Sequence, residues 1–205
     1  MGIGELLWDL LPSGPRLGGA RPMTALRTSR LELAPITLPL VEAVLLGRRE
    51  AAEALAVAQM PEPWPNRELI EQAFAVSMED IEANPAGRLW GARMMIVGSG
   101  HERRVIGSVV FRGAPDREGI AEIAYGVEGP SQGQGYATEA VSGSIRWALR
   151  EPLVRAVQAV TFAWHRASVR VLEKVGMVPS GVRLHETMGE MLVFECRGNE
   201  PRPQP

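Results

Sequence analysis

Residues 129–140 read Gly-Pro-Ser-Gln-Gly-Gln-Gly-Tyr-Ala-Thr-Glu-Ala, a run whose glycines and polar side chains leave backbone N–H groups open to a ligand. Upstream, residues 120–127 alternate as a strand does. Downstream, Ala137, Ala140, Val141, Ser144, Ile145 and Ala148 recur at helical spacing. Gly133 and Gly135 therefore stand at a predicted helix N-terminus. The first helical turn leaves its donors unpaired, the helix dipole is positive there, and residues without Cβ let an anion approach the backbone. The amides of Gln132, Gly133, Gln134, Gly135, Tyr136, Ala137 and Thr138 are thus candidate ligands for a diphosphate.

Two common phosphate motifs do not fit. A P-loop needs Lys and then Ser or Thr after its last glycine, and Gly135 is followed by Tyr136 and Ala137. The dinucleotide fingerprint needs a glycine at 138, where Thr138 stands, and it belongs after a first strand, not deep in the chain.

The pattern that fits is Gln-x-x-Gly-x-Ala at Gln132, Gly135 and Ala137, and it resembles the coenzyme A loop of the GNAT superfamily of acyl-CoA-dependent N-acetyltransferases. Residues 165–177, His-Arg-Ala-Ser-Val-Arg-Val-Leu-Glu-Lys-Val-Gly-Met, are similar to that superfamily's later motif. There an Asn is followed three positions on by Ser, and a short helix ends in Lys-x-Gly-Phe or Lys-x-Gly-Met. The wording of residues 134–140, with Glu122 upstream, looks most like the Rim-type branch that acetylates ribosomal-protein N-termini. The resemblance spans residues 23–197.

It implies an α/β (α+β) fold, a single domain with a mixed, mostly antiparallel central sheet and helices on both faces. It also implies acetyl-CoA as the donor and a primary amine as the acceptor, foremost a protein or peptide α-amino group. Transfer would be direct, in a ternary complex. Small amines such as antibiotics or polyamines are the alternative acceptors. A non-catalytic acyl-CoA-binding module and an NAD-dependent oxidoreductase are the rival readings.

An ammonium must lose a proton before it can attack, and the resemblance places Glu122 as that base, acting directly or through water. Glu122 reads equally as an outward residue of an alternating strand, with Ile123, Tyr125 and Val127 on the other face. Main-chain N–H groups near Tyr125 to Val127 would polarise the thioester carbonyl, and Gly126 suggests a bulge or close backbone approach. Many relatives place a Tyr where this chain has Leu172, so proton donation to the leaving thiolate falls to Ser168. That serine reads also as a cap or back-bonding residue of its own helix. His165 replaces the usual Asn that ties the cofactor arm, and reads also as structural or solvent-facing. Arg166, Arg170 and Lys174 share a helix face that could meet the 3′-phosphate or simply be solvated. Trp147 and Trp164 read as core fillers around the cofactor loop, and Trp64 with its flanking prolines as a substrate-side loop.

The chain has 205 residues, 45% of them hydrophobic, and a formal charge of −2. One domain of this length buries roughly 70% of its unfolded surface. The charge offers no global attraction for nucleic acid or an anionic membrane. One cysteine, Cys196, makes no internal disulfide, and no cysteine cluster suggests a metal site. These features, with no secretory signal in the sequence, point to the cytoplasm; oligomeric state is open, a homodimer included.

The positioning elements follow from periodicity. Residues 1–22 read as an N-terminal arm or extension, 23–197 as the domain and 198–205 as a disordered tail. Within the domain we expect a strand at 30–34 and a helix from Leu38 that stops near Gly47. A second helix, capped by Asn66, carries Ile70, Phe74, Ser77 and Ile81 on one face and ends at residues 84–87. Strands at 89–97, 105–112 and 120–127 form a meander, with Met94 and Met95 in the first of them. After the loop and its helix come a strand at 156–162, a short helix and a terminal hairpin over 181–196.

Overall fold

The computed structural model describes residues 24–61, 78–185 and 189–198. Eight strands form one sheet: β1 (Leu26–Arg27), β2 (Glu32–Pro35), β3 (Arg93–Val97), β4 (Arg104–Phe111), β5 (Ile120–Val127), β6 (Ala156–Phe162), β7 (Val178–His185) and β8 (Gly189–Arg197). Their spatial order is β1-β2-β3-β4-β5-β6-β8-β7. All neighbouring pairs are antiparallel except β5 and β6. This is the mixed, mostly antiparallel sheet expected.

Helices cover both faces. On one side lie α1 (Leu38–Leu45), α2 (Arg49–Ala56), α3 (Met78–Ala83) and α4 (Pro85–Arg88). Leu40, Val44, Ala52 and Ala56 pack there with Met94, Ile96 and Val105, while Val41, Ile81 and Leu89 close over Val110. On the other side, α5 (Tyr136–Ala148) and α6 (Arg166–Lys174) bring Val141, Ile145 and Leu172 against Met95, Ile106, Ile123 and Phe194. Alternation along β5 sends Ala121 and Ile123 to this second core and Glu122 and Ala124 to the first side.

Several local expectations are corrected. The first helix does end before Gly47, whose φ of +66° suits the residue just past a helix end, but α2 follows at once. Residues 84–87 end a helix as expected, since α3 stops at Ala83, but they also start another: Asn84 Oδ1 accepts the Gly87 N–H at 3.1 Å, and Pro85 sits in the first turn of α4. The next strand therefore begins at Arg93, not Leu89. The hairpin strand starts at Val178, ahead of the expected 181. Residues 1–22, the Asn66 cap, Trp64 and the tail beyond Gly198 lie outside the described residues. No helix among the described residues is long and apolar enough to cross a membrane.

Candidate active site

The pairing of β5 with β6 covers Ile120↔Ala156, Ala121↔Val157 and Glu122↔Gln158, and stops. Beyond Glu122 the two parallel strands part, β5 running on to Val127 and β6 to Phe162. The direction of the β5 amides follows from its other edge. Arg112 N–H donates to the Glu122 carbonyl and Glu128 N–H to the Ile106 carbonyl, each at 2.8 Å. With a period of two, the main-chain groups of residues 122, 124, 126 and 128 point toward β4. Those of Tyr125 and Val127 point to the open edge, where no strand partners them.

The loop stands at the end of this gap. Gln132 through Gly135 are exposed. Gly133 and Gly135 adopt φ of +74° and +84°, the left-handed region that favours glycine, and Gly135 is the N-cap of α5. The first helical N–H with an intrahelical acceptor is that of Glu139, bonded to the Gly135 carbonyl at 3.0 Å. Among the described residues, the N–H groups of Gly133, Gln134, Gly135, Tyr136, Ala137 and Thr138 have no protein acceptor. Six unspent donors around a helix N-terminus fit a diphosphate. Gln132 bends the loop back onto the strand, its Nε2 donating to the Val127 carbonyl at 2.9 Å, and Gln134 Nε2 donates to the Pro130 carbonyl at 3.2 Å.

The first of the two sequence motifs thus stands as an open anion cradle at the end of the gap, and the comparisons with known proteins agree. The sequence model of the GNAT acetyltransferase domain matches residues 30–178. The chain belongs to the GNAT acetyltransferase family. It is an acyltransferase of that family, an N-acetyltransferase with acetyl-CoA as its donor. It is 28% identical over 156 residues to YjdG, an uncharacterised N-acetyltransferase of Bacillus subtilis strain 168, covering 76% of this chain and 90% of that one. Its fold is similar to the ribosomal-protein-S5-alanine acetyltransferase of Vibrio fischeri, with a TM-score of 0.59 and 14% identity over 88% of this chain and 100% of the other. It is also similar to RimL, a ribosomal L7/L12 α-N-protein acetyltransferase solved with coenzyme A, with a TM-score of 0.56 and 17% identity over 85% and 98% of the two chains.

The remaining candidates fall around the gap. Glu122 lies at its closed end, where one carboxylate oxygen meets Arg112 Nε at 3.1 Å and the other Arg183 Nη1 at 2.5 Å. Arg183 also donates to Gln158 Oε1 at 3.2 Å, so the carboxylate on β5 joins the residue after β4 to β7, and β6 is tied in through Arg183. Tyr125 reaches from β5 to α6, its hydroxyl 2.9 Å from Ser168 Oγ. Ser168 thus turns its side chain to β5 and makes no cap, since the α6 N-cap is His165. His165 is exposed, and its ring makes no hydrogen bond among the described residues. Leu172 is fully buried one turn beyond Ser168.

Three expectations fail here. The β4–β5 register passes through Gly126 without a bulge; the close approach is on Gly107, where a Cβ would stand 2.1 Å from the Gly126 carbonyl oxygen. Trp164 is 65% exposed and stacks on Phe162 instead of filling the core. Trp147 packs among Trp90, Phe111 and the buried Arg93 guanidinium, at the far end of α5 from the loop. Sequence reading missed Glu139 and Arg30. The Glu139 carboxylate takes donors from Thr28 Oγ1, Ser29 Oγ and the Arg30 backbone and guanidinium, partners more than one hundred positions away with no local signal.

Proposed function

We propose that the protein acetylates a primary amine by direct attack within a ternary complex, and that the amine is the α-amino group of a protein or peptide. Bound acetyl-CoA supplies the thioester whose carbonyl carbon is attacked. The chain's own groups have separable tasks. The amides of Gly133 to Thr138 hold the diphosphate. The N–H groups of Tyr125 and Val127, aimed at the open edge of β5, serve the carbonyl oxygen as negative charge gathers on it. Glu122 takes the amine's proton, directly or through water. A carboxylate offers about four acceptor positions, so the contacts to Arg112 and Arg183 leave room for another donor. Ser168 gives a proton to the departing sulfur as it takes one from the Tyr125 hydroxyl, and the tyrosine regains its proton from solvent.

The observation that carries this reading is the parting of β5 from β6 directly after Glu122, with unpaired amides along its edge and the glycine loop at its end. The α-amino acceptor is supported by the Rim-like wording of residues 134–140. The names of two fold neighbours agree with it. A module that binds without turnover is motivated by His165 and Leu172, but the Tyr125–Ser168 pair supplies hydroxyls where the family's tyrosine is missing.

Thiol release from acetyl-CoA, measured against peptides with free α-amines, the same peptides blocked there but carrying lysine, polyamines and aminoglycosides, tests this reading. Turnover with the free α-amino peptides is expected. Turnover confined to polyamines or aminoglycosides overturns the acceptor class, and tight binding with no turnover on any acceptor overturns catalysis.

A further inference from the structure

A carboxylate in the first turn of α5 poses an electrostatic problem. Glu139 favours the helix, because negative charge at an N-terminus meets the positive end of the dipole. A diphosphate docking on that same N-terminus meets the carboxylate as a like charge, and the two compete for one dipole. The structure answers with a segment from the far end of the chain. Thr28 Oγ1, Ser29 Oγ and Arg30 N–H donate to Glu139 Oε1 at 2.6, 3.0 and 2.7 Å, and Arg30 Nε donates to Oε2 at 2.7 Å.

Arg30 reaches further along the loop. Its Nη1 donates to the Gln134 carbonyl at 2.9 Å, its Cζ lies 4.5 Å from the centre of the Tyr136 ring, and its Nη2 lies 3.4 Å from where a Cβ on Gly135 would stand. One guanidinium therefore cancels the Glu139 charge and holds the Gln134 carbonyl to itself. Both actions keep acceptors out of a loop whose amides must face an anion.

We propose that Arg30 is a positioning residue for coenzyme binding, keeping the loop electropositive by neutralising Glu139 and retaining the Gln134 carbonyl. This rests on the reading of residues 133–138 as the diphosphate cradle.

Calorimetric binding of acetyl-CoA to wild type, Arg30→Met, Glu139→Gln and the double variant tests it, with thermal melts showing that each is folded. Arg30→Met is expected to weaken acetyl-CoA by about tenfold, the size of one uncompensated charge at a helix N-terminus. Glu139→Gln alone changes affinity less than about threefold, and in the double variant it restores most of the loss. Acetyl-pantetheine, which has no phosphate, binds wild type and Arg30→Met alike by ligand-detected NMR.

Unchanged acetyl-CoA affinity in Arg30→Met overturns the proposal. So does a loss that Glu139→Gln leaves unrepaired, or an equal loss with acetyl-pantetheine, either of which marks Arg30 as a general scaffold residue. Failure of the underlying reading looks different: wild type itself then binds acetyl-CoA no more tightly than acetyl-pantetheine.

Discussion

The Tyr125 hydroxyl lies 2.9 Å from Ser168 Oγ and 3.2 Å from the Ser168 carbonyl oxygen, linking β5 to the first turn of α6 across the gap where β5 and β6 part. The neighbouring Leu172 is fully buried and brings no polar atom. Burial pushes the Tyr125 phenol up, the bond with Ser168 draws it part of the way back, and the net displacement is upward. Tyr125 therefore stays a donor at neutral pH. Either hydroxyl can donate in this bond; in the arrangement where Tyr125 donates to Ser168 Oγ, the serine's own proton is free for a leaving sulfur.

Ser168→Ala should then lower kcat by about a hundredfold or more, within the range of a positioned acid, while the KM for acetyl-CoA changes little. Tyr125→Phe should lower kcat in the same sense. A thioester with a less basic leaving thiol should narrow both deficits, because it needs less proton donation. Steady-state kinetics with the two donors checks this; equal deficits on both donors would leave the pair a purely structural clasp.

Glu122 has both carboxylate oxygens in ion pairs, which makes it a strut between strands as well as a candidate base. The two roles separate on substitution. Glu122→Gln keeps the shape and removes the charge, so as a base it should cost at least about a hundredfold in kcat with acetyl-CoA affinity unchanged. As a strut alone it should lower the melting temperature and leave kcat untouched. Kinetics and a melt on the same preparation decide.

Gly135 has a φ of +84° at the N-cap of α5, and a side chain there is strained by roughly 1–2 kcal/mol before any contact is counted. Its Cβ would also stand 3.4 Å from Arg30 Nη2. Gly135→Val should therefore abolish measurable acetyl-CoA binding at concentrations that saturate wild type. Gly133, at φ +74°, has open space where its Cβ would go, so Gly133→Asn should fold normally, since Asn visits this region readily. Normal coenzyme binding by Gly135→Val would move the diphosphate away from this loop.

What the sequence disclosed is what is local. The loop was legible because its glycines, the preceding strand alternation and the following helical period lie within one short stretch. The antiparallel meander of β3, β4 and β5 followed from turn signals, whereas the parallel pairing of β5 with β6 has no such local mark. By contrast, α2 escaped because its buried face is Ala52 and Ala56, residues that favour helix without marking an apolar stripe. Pro85 reads as a terminator, and it does stand where α3 ends, but only the Asn84 cap shows that it also opens α4. Trp164 resembles core by type, yet it follows the last residues of β6 into the open. The bonds Tyr125–Ser168 and Arg30–Glu139 join segments 43 and 109 positions apart, and no periodicity encodes such a meeting.

Acid stability offers the last test, because the clasp on Glu139 is charged. Burial alone would push this carboxyl up, but the donors from Thr28, Arg30 and Ser29 outweigh it and hold the pKa at about 2, below the ordinary value of 4.5. A carboxyl held low in the folded state contributes stability that is complete above its unfolded pKa and is lost as the pH falls toward the folded one. The window is therefore pH 4.5 down to 2. Its size is at most about 3.4 kcal/mol, from 1.36 kcal/mol per unit, and solvent screening of the half-exposed Arg30 guanidinium makes it smaller. Glu32, Glu53 and Glu195 are also held low, so wild type alone would not isolate the effect. The difference between wild type and Glu139→Gln does. Urea unfolding at intervals from pH 7 to pH 2 should show wild type the more stable above pH 5, with the advantage shrinking steadily below pH 4.5. A gap that stays constant over that range would mean that the carboxylate's charge contributes nothing to the clasp.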